Sequence, residues 1–146
     1  MGKLAKDFFN SDEKELILQS IRKAESNTSG EIRVHIENHC KVDVLNRAAL
    51  VFDLLKMQKT KERNGVLFYL AIVDRKFAII GDSGINAKVP DNFWDEAKAI
   101  LQKNFAGGEF AKGLSEGILL AGEQLKTHFK HHKDDVNELS DEISFS

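Results

Sequence analysis

Four segments of the chain repeat apolar residues at the three- and four-residue spacing of an amphipathic helix. In the last of them, successive apolar positions are separated by four, four, three, four and four residues. Each segment therefore has one apolar face that must pack against a core. The pattern predicts about four helices, at residues 12–27, 43–57, 91–106 and 109–129.

Three shorter segments have the patterns of β-strands. Residues 31–37 alternate strictly between apolar and polar, which predicts a strand with one wetter face, as at the edge of a sheet. Residues 66–73 are apolar on both faces, so we expect a central strand that is covered on both sides. Residues 76–81 follow a tight turn at Asp74-Arg75, and two strands joined so closely must pair antiparallel.

The order of these elements predicts the fold class. Strand, helix and strand in succession form a parallel right-handed crossover, which here precedes the antiparallel hairpin. We therefore predict an α/β fold, namely an α/β/α sandwich around a small mixed sheet with about four helices. At 146 residues, the chain has the usual size of one domain. We expect this domain at residues 1–130 and a mobile polar tail at 131–146, in which Ile143-Ser144-Phe145 alternatively docks on a sheet edge.

Composition excludes several classes of protein. The net charge of −2 provides no basic excess for binding a nucleic acid. Cys40 is the single cysteine, so the chain has no internal disulfide and no multi-cysteine zinc site. The longest apolar run, residues 66–73, is far too short to span a membrane, and the first residues lack the apolar region of a signal peptide. We expect a soluble, cytoplasmic protein.

Chain direction gathers polar residues at one end of the predicted sheet. If the first two strands are parallel, their starts lie together, and the third strand returns to the same end. Residues 28–31, 63–65 and 81–84 should therefore meet there, with the start of the 91–106 helix nearby. These segments and their neighbours carry the carboxyl, amide and hydroxyl groups of Thr28, Ser29, Glu31, Thr60, Glu62, Asn64, Asp82, Ser83, Asp91 and Asp95.

This oxygen-rich cluster has two interpretations. Carboxylates, amides and backbone carbonyls are the ligands that calcium and magnesium prefer. The same residues are also ordinary structural ones, because Asn64-Gly65 is a common turn dipeptide and Asp82 is typical of an Asx-turn. The chain has no phosphate-binding glycine loop, no Gly-x-Ser-x-Gly elbow and no His-Glu-x-x-His motif. On these residues alone, both interpretations remain open.

Over about residues 10–130 the chain resembles the TPM-domain family, which is named partly for photosystem-repair proteins of the thylakoid lumen. It looks like a short, stand-alone bacterial member without the signal peptide and membrane tail of many relatives. The resemblance rests on the order of many positions: Thr28-Ser29-Gly30-Glu31, Arg47-Ala48, Thr60, Asn64-Gly65-Val66-Leu67, Asp74-Arg75-Lys76, Gly81-Asp82, Gly84, Phe105, Gly108, Phe110 and Gly113-Leu114.

The resemblance implies an α/β/α sandwich with a divalent cation, usually calcium, in a groove at the end of the sheet. It also implies acid phosphatase activity, which is ascribed to plant members. By transfer, the predicted metal ligands are Asp82, Glu31, Asn64 and Asp91, with calcium as the cofactor and magnesium as the alternative. Many relatives have Gly-aromatic-Gly where this chain has Gly81-Asp82-Ser83-Gly84, which leaves the chemistry of the groove open.

Three functional hypotheses follow. The leading one is a small module that binds a divalent cation and uses the groove to engage a protein partner or a phosphorylated ligand. The second is a metal-dependent, acid-phosphatase-like phosphomonoesterase, in which the cation polarises a phosphoryl oxygen. The third is a pure protein-interaction domain whose working surface is a helix face or the acidic tail.

Overall fold

The computed structural model describes residues 5–131 and 138–146. Short 3₁₀ turns at Ala5–Asp7 and Met57–Lys59 accompany the regular elements. The helices of this described part are α1 (Ser11–Glu25), α2 (Val44–Leu54), α3 (Ser83–Asn86), α4 (Asp95–Ala106) and α5 (Phe110–Lys126). Its strands are β1 (Glu31–Glu37), β2 (Gly65–Ala71), β3 (Lys76–Gly81) and β4 (Ser144–Phe145).

The four strands form one mixed sheet in the order β3-β2-β1-β4. β1 and β2 are parallel, with Glu31 opposite Gly65, and α2 lies in the crossover between them. β2 and β3 form an antiparallel hairpin in which Val66 lies opposite Gly81. The predicted combination of a parallel crossover and an antiparallel hairpin is confirmed.

The helices cover the sheet on both sides because alternate strand residues point to opposite faces. Val34 and Phe68 belong to the larger core, to which α1, α4 and α5 contribute. Leu67 and Tyr69 point the other way, into a smaller core that includes Phe52 of α2. The predicted α/β/α sandwich is confirmed.

Apart from differences of a few residues at the ends of the helices, the helices depart from the sequence prediction in two places. A fifth, four-residue helix, α3, follows β3 directly. The helix expected from residue 91 begins at Asp95, because the preceding residues form turns in which the Phe93 amide donates to the Pro90 carbonyl. These turns place Trp94, which is 8% exposed, against Gly81. In the described part of the chain, no helix combines the length and the apolar character needed to cross a membrane.

The polar side of β1 is not a wet face, so that part of the prediction is wrong. Glu31, His35 and Glu37 are buried at 4%, 3% and 5% exposure. Two features account for the difference: β4 pairs alongside β1, and Arg47 and Tyr69 donate hydrogen bonds to Glu37. The alternation of apolar and polar residues identifies the two faces of a strand. It does not show whether the polar face is exposed to water or buried against hydrogen-bonding partners.

The C-terminal segment follows the sheet edge. Residues 132–137 of the predicted mobile tail lie outside the described residues. Beyond them, Leu139 is 3% exposed, and Ser144 and Phe145 pair in parallel with His35 and Ile36 of β1. Docking on a sheet edge, the alternative for Ile143-Ser144-Phe145, is therefore what the structure shows.

Candidate functional site at the rim of the sheet

The three segments expected to converge do meet at one rim of the sheet. Gly65, the first residue of β2, has Glu31 opposite it on β1. The Glu31 amide donates to the Asn64 carbonyl at 3.3 Å, and the Asp82 amide donates to the Gly65 carbonyl at 3.0 Å. The prediction about chain direction is thus confirmed, and Glu31 and Asp82 flank Gly65 on its two sides.

Gly84 joins two of these segments through close backbone contact. Its amide donates to the Arg63 carbonyl at 2.9 Å. A Cβ atom at this position would lie 2.1 Å from the Glu62 carbonyl oxygen and 2.6 Å from the Arg63 carbonyl oxygen. Only glycine fits such an approach, so the start of α3 is held directly against the loop before β2.

Asp82 is a buried carboxylate with a partly exposed positive partner. Its side chain caps α3 by accepting the Ser83 amide at 2.7 Å. The Arg63 guanidinium binds both carboxylate oxygens, with Nε to Oδ2 at 2.8 Å and Nη2 to Oδ1 at 3.0 Å. The Asp82 side chain is 6% exposed, whereas that of Arg63 is 49% exposed. Solvent therefore reaches the counter-ion of a carboxylate that is itself largely covered.

A groove of about 320 Å³ opens beside Asp82, between α2 and the end of β3. Ala49, Phe52 and Ile80 form its apolar wall, Gly81 also lines it, and the remaining lining residues are polar. Of the polar residues, sequence analysis identified only Asp82 and Ser83. Asp53, Gln58 and Asn86 come from α2, from the following 3₁₀ turn and from α3, whose packing has no local sequence signal. Arg63 comes from the loop before β2. The polar lining consists of Asp53, Gln58, Arg63, Asp82, Ser83 and Asn86.

Glu31 lies at the same rim but does not line this groove. Its Oε1 accepts the Leu139 amide at 2.7 Å, while its buried Oε2 has no donor among the described residues. Burial raises the pKa of Glu31 to about 7, although the Leu139 amide acts to lower it. A Cβ atom on Gly65 would lie 3.2 Å from the Met57 carbonyl oxygen and 3.6 Å from Leu139 Cδ1, so these two residues cover Gly65 between Glu31 and Asp82.

Asn64 and Asp91, the other two predicted metal ligands, lie outside the groove, one buried and one exposed. The buried Asn64 side chain donates to the Ser29 hydroxyl at 3.1 Å, and that hydroxyl donates to Glu62 at 2.7 Å. Asp91 is exposed in the turns before α4, and neither it nor Asn64 lines the groove at Asp82. Across residues 5–131 and 138–146, no three His, Cys, Asp or Glu side chains are grouped to hold a metal. Cation binding by Asp82, Glu31, Asn64 and Asp91 together stays a prediction.

A second carboxylate–arginine pair lies toward the other end of β1. Arg47 donates from Nε and Nη2 to the two oxygens of Glu37, at 2.8 and 2.7 Å, and the Tyr69 hydroxyl donates to Glu37 Oε2. Burial alone would raise the pKa of Glu37, but the hydrogen bonds from Arg47 and Tyr69 outweigh burial and hold this pKa below its ordinary value. His35 Nε2 lies 3.7 Å from Glu37 Oε1. The groups that surround Glu37 in this network are therefore all side chains of the protein.

Comparison with known proteins places the fold and the family. A family model for the TPM domain matches residues 4–124. The BA42 protein of the psychrophilic bacterium Bizionia argentinensis, solved by NMR, is 47% identical, with a TM-score of 0.91 over 95% of this chain and 96% of that one.

More distant structures share the fold alone. An N-terminal domain from P. gingivalis is 20% identical, with a TM-score of 0.67 over 85% of this chain and 82% of that one. The N-terminal domain of the cg2496 protein from Corynebacterium glutamicum is 14% identical, with a TM-score of 0.63 over 94% and 80%. No curated protein matches the chain. The family match covers most of the sequence, and we conclude that this chain belongs to the TPM-domain family.

Proposed function

We propose that the groove beside Asp82 binds a divalent cation, calcium first and magnesium as the alternative, and through it a phosphorylated ligand. One observation carries this proposal. The carboxylate of Asp82 is 6% exposed, yet its positive partner, Arg63, is 49% exposed and faces an open groove. A small cation entering the groove has access to the position that the guanidinium now holds.

The donor set of the groove fits a hard cation. Calcium takes six to eight oxygen ligands, from carboxylates, amide carbonyls, hydroxyls and water. The groove provides carboxylates from Asp53 and Asp82, amide oxygens from Gln58 and Asn86, and the Ser83 hydroxyl. Among the described residues, no three His, Cys, Asp or Glu side chains are arranged to hold a metal ion, so water or a ligand has to complete the coordination.

Arg63 gives the groove its second role, recognition of an anion. Two carboxylates, a divalent cation and one guanidinium leave a formal charge of about +1, which attracts a phosphate group. A guanidinium also binds phosphate oxygens through two parallel hydrogen bonds. When a cation neutralises Asp82, Arg63 is free to turn toward such an anion, and its half-exposed side chain has room to do so.

The same groove favours a second candidate function, hydrolysis of a phosphate monoester. A bound cation would polarise a phosphoryl oxygen. In this function Arg63 holds the remaining phosphate oxygens, and the exposed Asp53 carboxylate orients the attacking water. The observation favouring it is that carboxylates and a guanidinium line one groove.

Calorimetric titration of the purified protein with calcium chloride, and separately with magnesium chloride, tests cation binding. We expect Asp82→Asn to remove the binding heat while keeping a side-chain cap for α3. Asp53→Asn should weaken binding, and Arg63→Gln should tighten it by removing the competing cation. Absence of heat in both wild type and Arg63→Gln contradicts the proposal.

Two matched variants separate the groove from the larger ligand set predicted from sequence. Glu31→Gln and Asp91→Asn each remove one carboxylate outside the groove. Unchanged calcium affinity in both, with loss in Asp53→Asn, assigns binding to the groove. Loss in Glu31→Gln or Asp91→Asn with no effect of Asp53→Asn assigns it to the sequence-predicted set.

Turnover of a generic aryl phosphate, measured with calcium, with magnesium and with a chelator, tests the second function. We expect any activity to require the cation and to disappear in Asp82→Asn. Activity that survives this substitution contradicts hydrolysis in the groove.

A further inference from the structure

The C-terminal residues 138–146, here named the strap, lie against β1 and α1. Ser144 and Phe145 pair with β1, and the Ser146 amide donates to the Ile36 carbonyl at 3.1 Å. The hydroxyls of Ser144 and Ser146 lie 2.8 Å from the two ring nitrogens of His35. The strap thus covers His35, which is 3% exposed, and part of the edge of β1.

In its middle, the strap sets one carboxyl group against another. Asp141 lies beside the last turn of α1, because its Oδ2 is 4.0 Å from Nε of Arg22, which precedes Glu25 by one helical turn. A hydrogen bond with Asp141 is one of the causes that raise the pKa of Glu25. Glu25 Oε2 accepts the Ile32 amide at 2.9 Å. Ionised carboxylates only accept hydrogen bonds, so a bond between Glu25 and Asp141 requires one proton. Asp141 Oδ1 is buried and has no donor among the described residues, as expected if that proton is on Glu25.

The charges around this pair are mostly negative. Glu31 of β1 acts on Glu25, and Glu138 of the strap lies against Glu31. The nearby arginines neutralise little of this negative charge. Arg22 is 55% exposed and its Nε is 4.0 Å from Asp141 Oδ2, while Arg33 of β1 interacts with Glu142. Burial, followed by the contact with Asp141, raises the pKa of Glu25 to about 9.

We propose that the strap is a proton-dependent latch, which docks on β1 while protonated Glu25 donates a hydrogen bond to Asp141 and releases when Glu25 ionises. Release uncovers His35 and leaves β1 without a partner strand on the edge opposite β2. The switch is a local one, because the remaining strands and the helices keep their own packing.

The direction of the pH effect follows from proton counting. When docked, Glu25 holds a proton that it gives up on release, so its contribution to docking is greatest at low pH and weakens as pH rises. Burial lowers the pKa of His35 under the strap, so His35 acts in the opposite direction below its ordinary pKa of 6.5. Glu25 has an ordinary pKa of 4.5 and a docked pKa of about 9, which sets the window. One proton changes the docking equilibrium by at most about tenfold per pH unit.

Amide hydrogen exchange on the full chain, in the presence of a chelator, tests the latch independently of cation binding. The reporter is the Ser146 amide, and the internal reference is the Phe68 amide in β2. After correction for the intrinsic exchange rate, we expect protection of Ser146 to be at least about tenfold lower at pH 8 than at pH 5. Protection of Phe68 should change little. A constant ratio between the two amides overturns the proposal.

Three variants assign the effect to one contact. In Glu25→Gln the amide donates to Asp141 at every pH, so the part of the pH dependence that comes from Glu25 should disappear. In Asp141→Lys the ionised Glu25 attracts the strap, so the dependence should reverse sign. Glu142→Gln removes a strap charge but keeps the Glu25–Asp141 contact, so the dependence should remain. A wild-type pH profile in Glu25→Gln, with Phe68 still protected, overturns the proposal.

Discussion

Two carboxylate–arginine pairs with nearly the same hydrogen-bond geometry lie in different surroundings. Arg63 holds Asp82 and Arg47 holds Glu37, each through Nε and Nη2 at 2.7–3.0 Å. Both carboxylate side chains are 6% exposed, but the arginine side chains are 49% exposed for Arg63 and 27% for Arg47. Besides Arg47, Glu37 accepts a hydrogen bond from Tyr69 and lies near His35. Besides Arg63, Asp82 accepts a hydrogen bond from the Ser83 amide and borders an open groove.

This difference separates a structural pair from one that is available for function. Glu37 is surrounded by protein groups, so any change in one partner leaves a buried charge without compensation. Asp82 lies beside an open groove, and solvent reaches the Arg63 side chain that binds it. The hydrogen-bond distances within the pairs do not distinguish the structural pair from the accessible one. The exposure and surroundings of the arginine distinguish them.

The largest expected effect is that of Arg47→Ala. Removing one partner of a buried ion pair destabilises a protein by about 3–5 kcal/mol, and the partial exposure of Arg47 places this case near the lower value. We expect the free energy of unfolding, measured with urea, to fall by about 3 kcal/mol. The double variant Arg47→Met with Glu37→Gln is the control and should recover most of the loss. A loss below about 1 kcal/mol would make this pair equivalent to a surface pair.

A smaller effect is expected on the acid side of the stability curve. The pKa of Glu37 is lowered in the folded protein, so its stabilisation is fully present above the ordinary value of 4.5 and is lost as pH falls through the folded value. The difference in unfolding free energy between wild type and Glu37→Gln should therefore shrink below about pH 4.5. Urea unfolding at pH 3 and pH 6 measures it. A difference that grows on acidification contradicts the assigned role of Glu37.

The smallest effect on stability is expected for Arg63→Ala. The Arg63 side chain is half exposed, and Asp82 keeps the Ser83 amide and gains access to water through the groove. We expect the loss in unfolding free energy to be clearly smaller than that of Arg47→Ala in the same urea assay. Equal losses would show that the two pairs are energetically alike and would remove the distinction between them.

Sequence pattern predicted the scaffold because hydrophobic period and chain direction are local properties. The parallel crossover, the hairpin and the meeting of residues 28–31, 63–65 and 81–84 all follow from them. The sequence pattern predicts the start of α4 four residues early, because the apolar residues Phe93 and Trp94 are compatible with turns as well as with a helix. Periodicity does not distinguish these two solutions.

The environment of each site residue depends on long-range packing, which sequence pattern does not contain. Asp53 and Gln58 line the groove because α2 and the following 3₁₀ turn pack near the end of β3, and Asn86 lines it because α3 follows β3. Arg47 meets Glu37 across ten positions, from a helix to a strand, and Asp141 meets Glu25 across the whole domain. Calcium binding, phosphatase activity, a protein-interaction role and a cytoplasmic location stay predictions.

The two-residue length of β4 also bears on how molecules of this protein associate. An unpaired strand edge is a template for pairing with another chain, and short edge strands limit such aggregation. β4 occupies positions 35 and 36 of the seven-residue β1. If Ser144 and Phe145 leave β1, this edge of β1 becomes available for pairing with another molecule. We therefore expect association of the protein in concentrated solution to depend on these two residues.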